Sequence, residues 1–259
     1  MFSLILASLV QSITEFLPIS SSGHLLLLSA VGISEPSLTM DILLHLGTLL
    51  AVVVYFREDV KEVLKGLFPK AKTRRLLMQL VVATIPIIVF GFFAARWIET
   101  VFRSPIIVAY TAIIFGILLW LADNFFPAHQ RLNHMTLKHA FLIGCAQVFS
   151  LIPGSSRSGT TMTCARMLGL SRSDSARFSM LLSIPAIFLA VLYGLWQGMT
   201  GELVLPSMTE SIGGVVLTFF FGFFVINFLM VWVQKASYTI FAVYRILLGI
   251  GLLIYLSFT

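Results

Sequence analysis

Charged residues are scarce in this sequence, and long hydrophobic runs fill most of it. Asp, Glu, Lys and Arg make up 11% of its 259 residues, whereas 58% are hydrophobic, and the mean hydropathy is +0.99. A soluble domain carries about 25% charged residues, because its surface must be hydrated. The composition therefore excludes a water-soluble globular protein and predicts a chain that crosses a membrane several times.

Cysteines and basic surface stripes are also lacking. The two cysteines, Cys145 and Cys164, lie in apolar stretches without a disulfide framework or a zinc motif, so we interpret them as small packing residues. Seven of the 17 basic residues fall between Arg57 and Arg75, and no basic stripe with interleaved aromatic residues is present. We therefore expect no nucleic-acid partner and attribute the net charge of +6 to membrane topology.

Six stretches are apolar over a length that can cross roughly 30 Å of hydrocarbon. The predicted transmembrane helices cover approximately residues 40–57, 76–97, 105–122, 176–196, 212–234 and 239–258. Each stretch is identified by its hydropathy and by its length, which is that of a transmembrane helix.

Regions 1–35 and 138–170 are also apolar, but a Pro-, Ser- and Gly-rich segment interrupts each of them. The arm after each interruption has about ten residues, or roughly 15 Å of helix, which is too short to cross. We predict re-entrant helical hairpins whose polar tips lie at membrane depth, where irregular backbone must be buried in protein or line a wet cavity. The predicted fold class is an all-α polytopic membrane protein with six transmembrane helices and two re-entrant hairpins.

The two interruptions resemble each other. Residues 18–23 (PISSSG) match residues 153–159 (PGSSRSG) with one inserted residue, and each segment is followed by three predicted spans. The offset between the halves is roughly 135 residues, and a repeat with three crossings must place its second copy upside down. We therefore predict one membrane domain made of an inverted-topology repeat, residues 1–135 and 136–259, with both tips near one midplane site.

Loop charge predicts the orientation. If the loop 57–75 is cytoplasmic, 13 basic residues lie on the cytoplasmic side, and only Arg96 and Arg103 lie on the other. This bias obeys the positive-inside rule and places both termini outside. The first hairpin then enters from the outer face, so we expect the site to be accessible from that face.

The second tip has the composition of a phosphate site. Arg157 is the strongest indication, because an arginine at membrane depth is costly without an anionic partner and its planar fork suits phosphate. The helix that begins after the break would offer free N–H groups to the same anion. The expected substrate-binding residues of this tip are Gly154, Ser155, Ser156, Ser158, Gly159 and Thr160.

The first tip carries groups that hydrolysis needs. His24 can act as nucleophile or as general acid–base, and a serine beside a histidine can be an activated nucleophile. Glu15 and Gln11 are four residues apart on one helix face and are the predicted ligands of a divalent cation that bridges diphosphate oxygens. Ser20 and Ser22 are further expected substrate contacts.

These residues also have structural interpretations. A Ser- and Gly-rich proline break can simply end a helix, His24 can cap a helix end, and Glu15 can pair with Arg157. We expect His45, within a predicted span, to be structural rather than catalytic. Arg245, in the last span, is either a second phosphate contact or a structural partner for an acid. The remaining histidines lack ligand spacing and are expected to be solvated: His129, His134 and His139.

Taken together, the motifs resemble those of the undecaprenyl-diphosphatase family, also called bacitracin-resistance proteins. The family's first motif is Glu/Gln-x-x-x-Glu followed by Phe-Leu-Pro-x-Ser-Ser-x-Gly-His, and residues 11–24 (QSITEFLPISSSGH) match it. Its second motif, Pro-Gly-x-Ser-Arg-Ser-Gly-x-Thr, is matched by residues 153–161 (PGSSRSGTT). Residues 241–245 (FAVYR) are similar to the family's C-terminal span, and the resemblance covers essentially the whole chain.

This resemblance implies a bacterial inner-membrane enzyme that hydrolyses undecaprenyl diphosphate to undecaprenyl phosphate and inorganic phosphate. It also implies recycling of that lipid carrier for cell-wall synthesis, resistance to bacitracin, and dependence on Mg²⁺ or Ca²⁺. Catalytic roles are implied for Glu15, Ser21, His24 and Arg157. Many members have Glu where this chain has Gln11, so Glu15 is expected to be the main anionic ligand of any metal.

A lipid-phosphate transporter or flippase is the alternative function, because inverted repeats with broken helices at the midplane are a transporter architecture. The Ser, His and Glu set of the first tip favours the enzyme, since binding alone does not need it. In either case the expected partners are a polyprenyl diphosphate lipid and the surrounding membrane lipid, and a homodimer is left open.

Overall fold

The computed structural model describes residues 2–21, 23–24, 38–68, 74–101, 104–200 and 206–258. Ten helices fall in these ranges, and we number them in chain order. They are α1 (Phe2–Phe16), α2 (Leu38–Tyr55), α3 (Arg57–Lys65), α4 (Arg74–Val101), α5 (Pro105–Phe125), α6 (Leu137–Val148), α7 (Arg157–Met167), α8 (Arg172–Thr200), α9 (Met208–Lys235) and α10 (Thr239–Phe258). The only β-type pairing in the described ranges is an isolated bridge between Gln130 and Leu170.

Five helices are long and apolar enough to cross a membrane: α4, α5, α8, α9 and α10. A sixth crossing is reached if α2 and α3 are counted together, although the chain bends by 81° between them. The prediction of an all-helical, multi-pass membrane protein is therefore confirmed. The predicted span 40–57 corresponds to α2, which ends at Tyr55 just before that bend.

The second interrupted region is broken where its sequence predicts a break. Helix α6 ends at Val148, a short 3₁₀ turn follows (Phe149–Leu151), and α7 begins at Arg157 after the break. Helix α7 has 11 residues, so it is too short to cross by itself. In the first region α1 ends at Phe16 and helix resumes at Ser21, while residues 25–37, the predicted return arm, lie outside the described part of the chain.

Small residues bring the helices close together. A side chain on Gly144 would overlap the Ala83 carbonyl oxygen, so α6 rests directly on the backbone of α4. A Cβ on Gly249 would lie 2.6 Å from the Ala109 carbonyl oxygen, where α10 meets α5. Such contacts are how membrane helices gain packing energy without a hydrophobic driving force between them.

Large apolar side chains cover the outer surface of the helices. Phe92 and Phe93 on α4 are 84% and 80% exposed, and Phe224 on α9 is 66% exposed. In water an apolar surface of this kind would be unfavourable, whereas it suits contact with lipid. The Phe-rich run of α9 both faces outward and packs inward, since Phe219 and Phe223 are only partly exposed.

A buried ionic cluster joins the helices at one end of the bundle. The carboxylate of Asp123, at the end of α5, accepts from Nε of Arg166 (3.3 Å), Nε of Arg172 (2.7 Å) and the backbone N–H of Tyr238 (2.9 Å). Burial raises the pKa of the Tyr238 phenol, which stays protonated and donates to the Arg172 carbonyl (2.8 Å). This cluster ties the C-terminal end of α7 to α5 and α8, and so fixes the helix whose other end carries Arg157.

Candidate functional site

The structure places the two tips against each other. The hydroxyl of Ser158, in the second tip, donates to the carbonyl of Leu17 in the first (2.9 Å). The guanidinium of Arg245, from α10, reaches carbonyls of both tips: Pro18 (3.4 Å), Gly154 (3.1 Å) and Ser155 (2.6 Å). The residues that the sequence assigns to the two tips therefore form one continuous region.

Two unusual backbone positions shape the second tip. Gly154 has φ +91°, and it lies so close to α5 that a side chain would overlap Thr111 Oγ1. Ser156 has φ +67° and caps α7, since its hydroxyl accepts the N–H of Gly159 (3.1 Å). The chain thus turns sharply and points the start of α7, with Arg157 as its first residue, toward α1.

Most hydroxyls of this tip donate within the protein. Ser155 donates to the carbonyls of Phe149 and Ile152 (both 2.7 Å), Ser158 to the first tip, and Thr160 to the Arg157 carbonyl (3.0 Å). A hydroxyl has a single proton to donate, so in this conformation these three are structural donors. The guanidinium of Arg157 is therefore the cationic group that this tip presents at the junction with the first.

Arg157 and Glu15 form an ion pair across the junction of the tips. Nη2 of Arg157 lies 3.0 Å from Oε1 of Glu15, and the two side chains are 11% and 9% exposed. Nη1 donates to the carbonyl of Ser179 on α8 (3.0 Å). The pairing that the sequence left open is present, and Ser179 is a contact that no local pattern indicated.

The other carboxylate oxygen of Glu15 faces Gln11 and His45. Oε2 lies 3.4 Å from Nε2 of Gln11 and 3.8 Å from Nε2 of His45, and these two nitrogens are 3.3 Å apart. Nδ1 of His45 is 2.7 Å from the carbonyl of Asp41. Since a carbonyl only accepts, Nδ1 carries the proton, and Nε2 accepts from the Gln11 amide. His45 was expected to be structural, yet it lies beside the candidate metal ligands.

His24 also has partners at both ring nitrogens. Nδ1 is 2.6 Å from the carbonyl of Ser20, and Nε2 is 2.5 Å from the hydroxyl of Tyr244 on α10. The two rings are nearly parallel, with 7° between their planes. Ser21 begins the helical segment that carries His24 and is partly exposed, while Ser22 lies outside the described residues. Tyr244 is a site residue that the sequence did not single out.

Arg245 lies under the junction and is fully buried. The sequence left it as a second phosphate contact or as a partner for an acid. Its hydrogen-bond acceptors in the described structure are backbone carbonyls of the two tips. A buried guanidinium that joins three carbonyls holds the tips in register, because each carbonyl left bare by a broken helix needs a donor.

The histidines near one edge of the bundle are not part of this region. His129 and His134 are exposed, and His139 is partly exposed. Within the described part of the chain, no group of three or more His, Cys, Asp and Glu side chains is arranged to hold a metal.

Comparisons with known proteins agree with the motifs. The profile of the family described as "Bacitracin resistance protein BacA" matches residues 4–251. A protein of Alteromonas mediterranea named undecaprenyl-diphosphatase is 41% identical over 266 residues, which cover 98% of this chain and 97% of that protein. Proteins of the same name from Elusimicrobium minutum and Hahella chejuensis are 43% and 41% identical, and each match covers at least 96% of both chains.

Proposed function

Because the chain belongs to the bacitracin resistance protein BacA family, we propose that it hydrolyses undecaprenyl diphosphate to undecaprenyl phosphate and inorganic phosphate. Its relatives are named for this enzyme, and they match this chain over nearly the full length of both proteins. The proposal includes recycling of the lipid carrier for cell-wall synthesis and resistance to bacitracin. The observation that carries it is the Arg157–Glu15 pair, a guanidinium and a carboxylate that meet at the junction of two broken helices.

Arg157 has donors left for the substrate. Nη1 is used on Ser179 and Nη2 on Glu15, whereas a guanidinium has five N–H donors in a planar fork. The free donors suit the terminal phosphate of a diphosphate, and the N-terminus of α7 adds favourable dipole charge beside them. In the proposed reaction the bond from the bridging oxygen to the terminal phosphorus breaks, the oxygen of water ends on that phosphorus, and the lipid phosphate leaves.

Ser21 and His24 are the two candidates for the group that attacks this phosphorus or delivers water to it. Nucleophilic attack by either side chain would leave a phosphate on that residue until water removes it. Rapid quenching in SDS at mildly alkaline pH, with undecaprenyl diphosphate that carries ³²P in its terminal phosphate, would trap such an intermediate, and acid treatment of the trapped protein would then locate it. An acid-stable label identifies Ser21, and an acid-labile label identifies His24.

The direct test of the function is phosphate release by the purified protein in detergent. We expect one inorganic phosphate per undecaprenyl diphosphate consumed, with undecaprenyl phosphate as the only lipid product. Undecaprenyl phosphate, which lacks the anhydride bond, should release none. If the purified protein moves the lipid across liposomes but releases no phosphate, the transporter function is correct instead.

We further propose that a divalent cation, Mg²⁺ or Ca²⁺, binds at Glu15 and Gln11. Oε1 of Gln11 is buried without a hydrogen-bond partner, and Oε2 of Glu15 lies close to the same amide, so the residues fit a hard cation. His45 adds a ring nitrogen on the same side. When bound there, a cation neutralises diphosphate oxygens and so favours departure of the lipid phosphate.

Removal of the cation should stop the reaction. We expect EDTA to abolish phosphate release and added Mg²⁺ or Ca²⁺ to restore it. His45→Gln, which removes the ring nitrogen beside Glu15, should raise the cation concentration needed for half-maximal activity by about tenfold. Full activity in EDTA with metal-free reagents would exclude the cation.

We propose that the chain is an inverted-topology repeat, residues 1–135 and 136–259, as its motifs suggest. Helices α6, α8, α9 and α10 begin roughly 135 residues after α1, α2, α4 and α5, respectively. Helix α1 packs on α9, and their counterparts α6 and α4 pack on each other in the same way. Ser20 (φ +81°) and Ser156 (φ +67°) each lie three residues before the glycine of their tip. These correspondences support the repeat.

We propose that the site opens to the periplasmic face of the inner membrane. The positive-inside rule favours a cytoplasmic position for the basic loop 57–75, and the first hairpin then enters from the opposite face. In a variant without Cys145 and Cys164, a cysteine at Ser207 should react with a membrane-impermeant maleimide on whole cells. A cysteine at Lys61 should react only in inverted vesicles. The opposite labelling pattern would reverse the orientation.

A further inference from the structure

The hydrogen bonds of His24 determine which of its nitrogens carries the proton. Nδ1 is 2.6 Å from the Ser20 carbonyl, and a carbonyl oxygen can only accept, so Nδ1 must be protonated. In the neutral ring Nε2 then holds the lone pair. The hydroxyl of Tyr244, 2.5 Å from Nε2, is therefore the donor in that contact.

Tyr244 is held firmly in this place. The next residue, Arg245, is fully buried and donates to carbonyls of Pro18, Gly154 and Ser155. These three bonds fix this turn of α10 relative to both tips. Tyr244 is 42% exposed, and the contact between its hydroxyl and His24 is itself exposed.

We propose that Tyr244 is a positioning residue: the Ser20 carbonyl sets the Nδ1–H form of His24, and the Tyr244 hydroxyl, by donating to Nε2, holds this reactive nitrogen in place. The proposal rests on the hydrolase function and adds to it the atom that reacts. The lone pair of Nε2 is needed whether His24 attacks phosphorus or takes a proton from Ser21 or water. Before either step the Tyr244 hydroxyl lies at Nε2, where the reacting group must later approach. Its hydrogen bond keeps the His24 ring oriented with Nε2 toward that position.

Tyr244→Phe keeps the ring and removes only the hydroxyl, so it isolates the hydrogen bond. We expect kcat for undecaprenyl diphosphate to fall by about ten- to a hundredfold, the size of effect seen when the hydrogen-bond partner that orients a metal-ligating histidine is removed. The KM should change little, because the phenol is not needed to bind the diphosphate. Tyr110→Phe is the matched control, as Tyr110 is an exposed tyrosine on α5, and it should leave both constants unchanged.

A second measurement tests the positioning without relying on catalysis. In protein with ¹⁵N-labelled histidine, subtraction of a His24→Gln spectrum isolates the His24 signals. We expect the wild-type ring to show the shifts of a protonated Nδ1 and an unprotonated, hydrogen-bonded Nε2. Tyr244→Phe should shift the Nε2 signal, because that nitrogen loses its hydrogen-bond donor, while Nδ1 stays protonated against the Ser20 carbonyl.

The outcomes separate this inference from the proposed function. If the wild type releases no phosphate, the function fails, while the nitrogen spectra still decide the role of Tyr244. If the wild type is active and Tyr244→Phe leaves both kcat and the Nε2 signal unchanged, the inference is wrong. A loss of activity with an unchanged His24 spectrum would also overturn it, because the hydroxyl would then act elsewhere.

Discussion

Arg157→Lys should lower kcat/KM for undecaprenyl diphosphate by about a thousandfold, the size of effect that a transition-state arginine has in phosphoryl transfer. Lysine keeps the positive charge but lacks the planar fork, so one ammonium cannot contact Ser179, Glu15 and phosphate together. The loss should fall mainly on kcat, because the guanidinium is proposed to stabilise the redistribution of charge in the diphosphate as the anhydride bond breaks and negative charge moves to the leaving oxygen. Steady-state phosphate release in detergent measures it.

Lysine is preferred to alanine for this test. Alanine would leave the Glu15 carboxylate, which is 9% exposed, without its partner, and breaking such a buried pair costs about 3–5 kcal/mol of stability. Arg177→Lys is the matched control, since Arg177 is a half-exposed arginine outside both tip motifs, and its ion pair in the described structure is with Asp59. The control should keep wild-type activity. Undiminished phosphate release by Arg157→Lys would remove Arg157 from the proposed mechanism.

Gly154→Ala should lower the thermal midpoint of the detergent-solubilised protein by several degrees and abolish most phosphate release. At φ +91° an L-residue is strained by about 1–2 kcal/mol before any contact is considered. The new Cβ would also overlap Thr111 Oγ1 and lie 2.7 Å from the Val108 carbonyl oxygen. Neither neighbour can yield easily, because the Val108 oxygen is helix backbone and Thr111 Oγ1 donates to the Pro153 carbonyl (2.7 Å).

Gly91→Ala is the control for this substitution. Gly91 lies within α4, and a Cβ there would meet nothing within 4 Å. Alanine in a helix interior is more favourable than glycine by about 0.5–1 kcal/mol, so the midpoint should stay the same or rise slightly. Thermal unfolding followed by circular dichroism, together with phosphate release, compares the two variants. A Gly154→Ala protein as stable and active as the control would show that the turn at 154 is not constrained as described.

Hydropathy and length were enough to predict most of the helices. The predicted span 239–258 coincides with α10, and 105–122 starts where α5 starts. The break at 153–159 was also predictable, because proline and glycine interrupt a helix by local sterics. The 81° bend between α2 and α3 was not, since Phe56 continues an apolar run and the bend lies where that run meets charged residues.

The candidate site was predicted only in part, because some of its contacts depend on packing between distant parts of the chain. Arg157 and Glu15 were identifiable because charges are costly at membrane depth, and a pair is the simplest way to reduce that cost. His45 and Tyr244 lie on long apolar helices, and which face of such a helix meets a tip depends on packing between distant parts of the chain. Their contacts with Gln11 and His24 span 34 and 220 residues of sequence, so no local pattern could indicate them.

The serines of the second tip show another limit of composition. A cluster of hydroxyls near an arginine suggests donors for phosphate. Ser155 and Ser158 instead donate to backbone carbonyls at the ends of the interrupted helices. Such carbonyls have no water to bond in a bilayer, so the chain must supply their donors itself. Sequence shows which donors are available but not which acceptors take them.

The buried guanidinium of Arg245 has a consequence for how the protein meets its ligand. Glu15 already balances the charge of Arg157, and the partners of Arg245 in the described structure are carbonyl dipoles rather than a carboxylate. The buried charge of Arg245 thus produces a positive electrostatic potential at the junction of the tips, where the low permittivity screens it weakly. Under the proposed function, this positive potential attracts a diphosphate group before the lipid forms any contact with the tips.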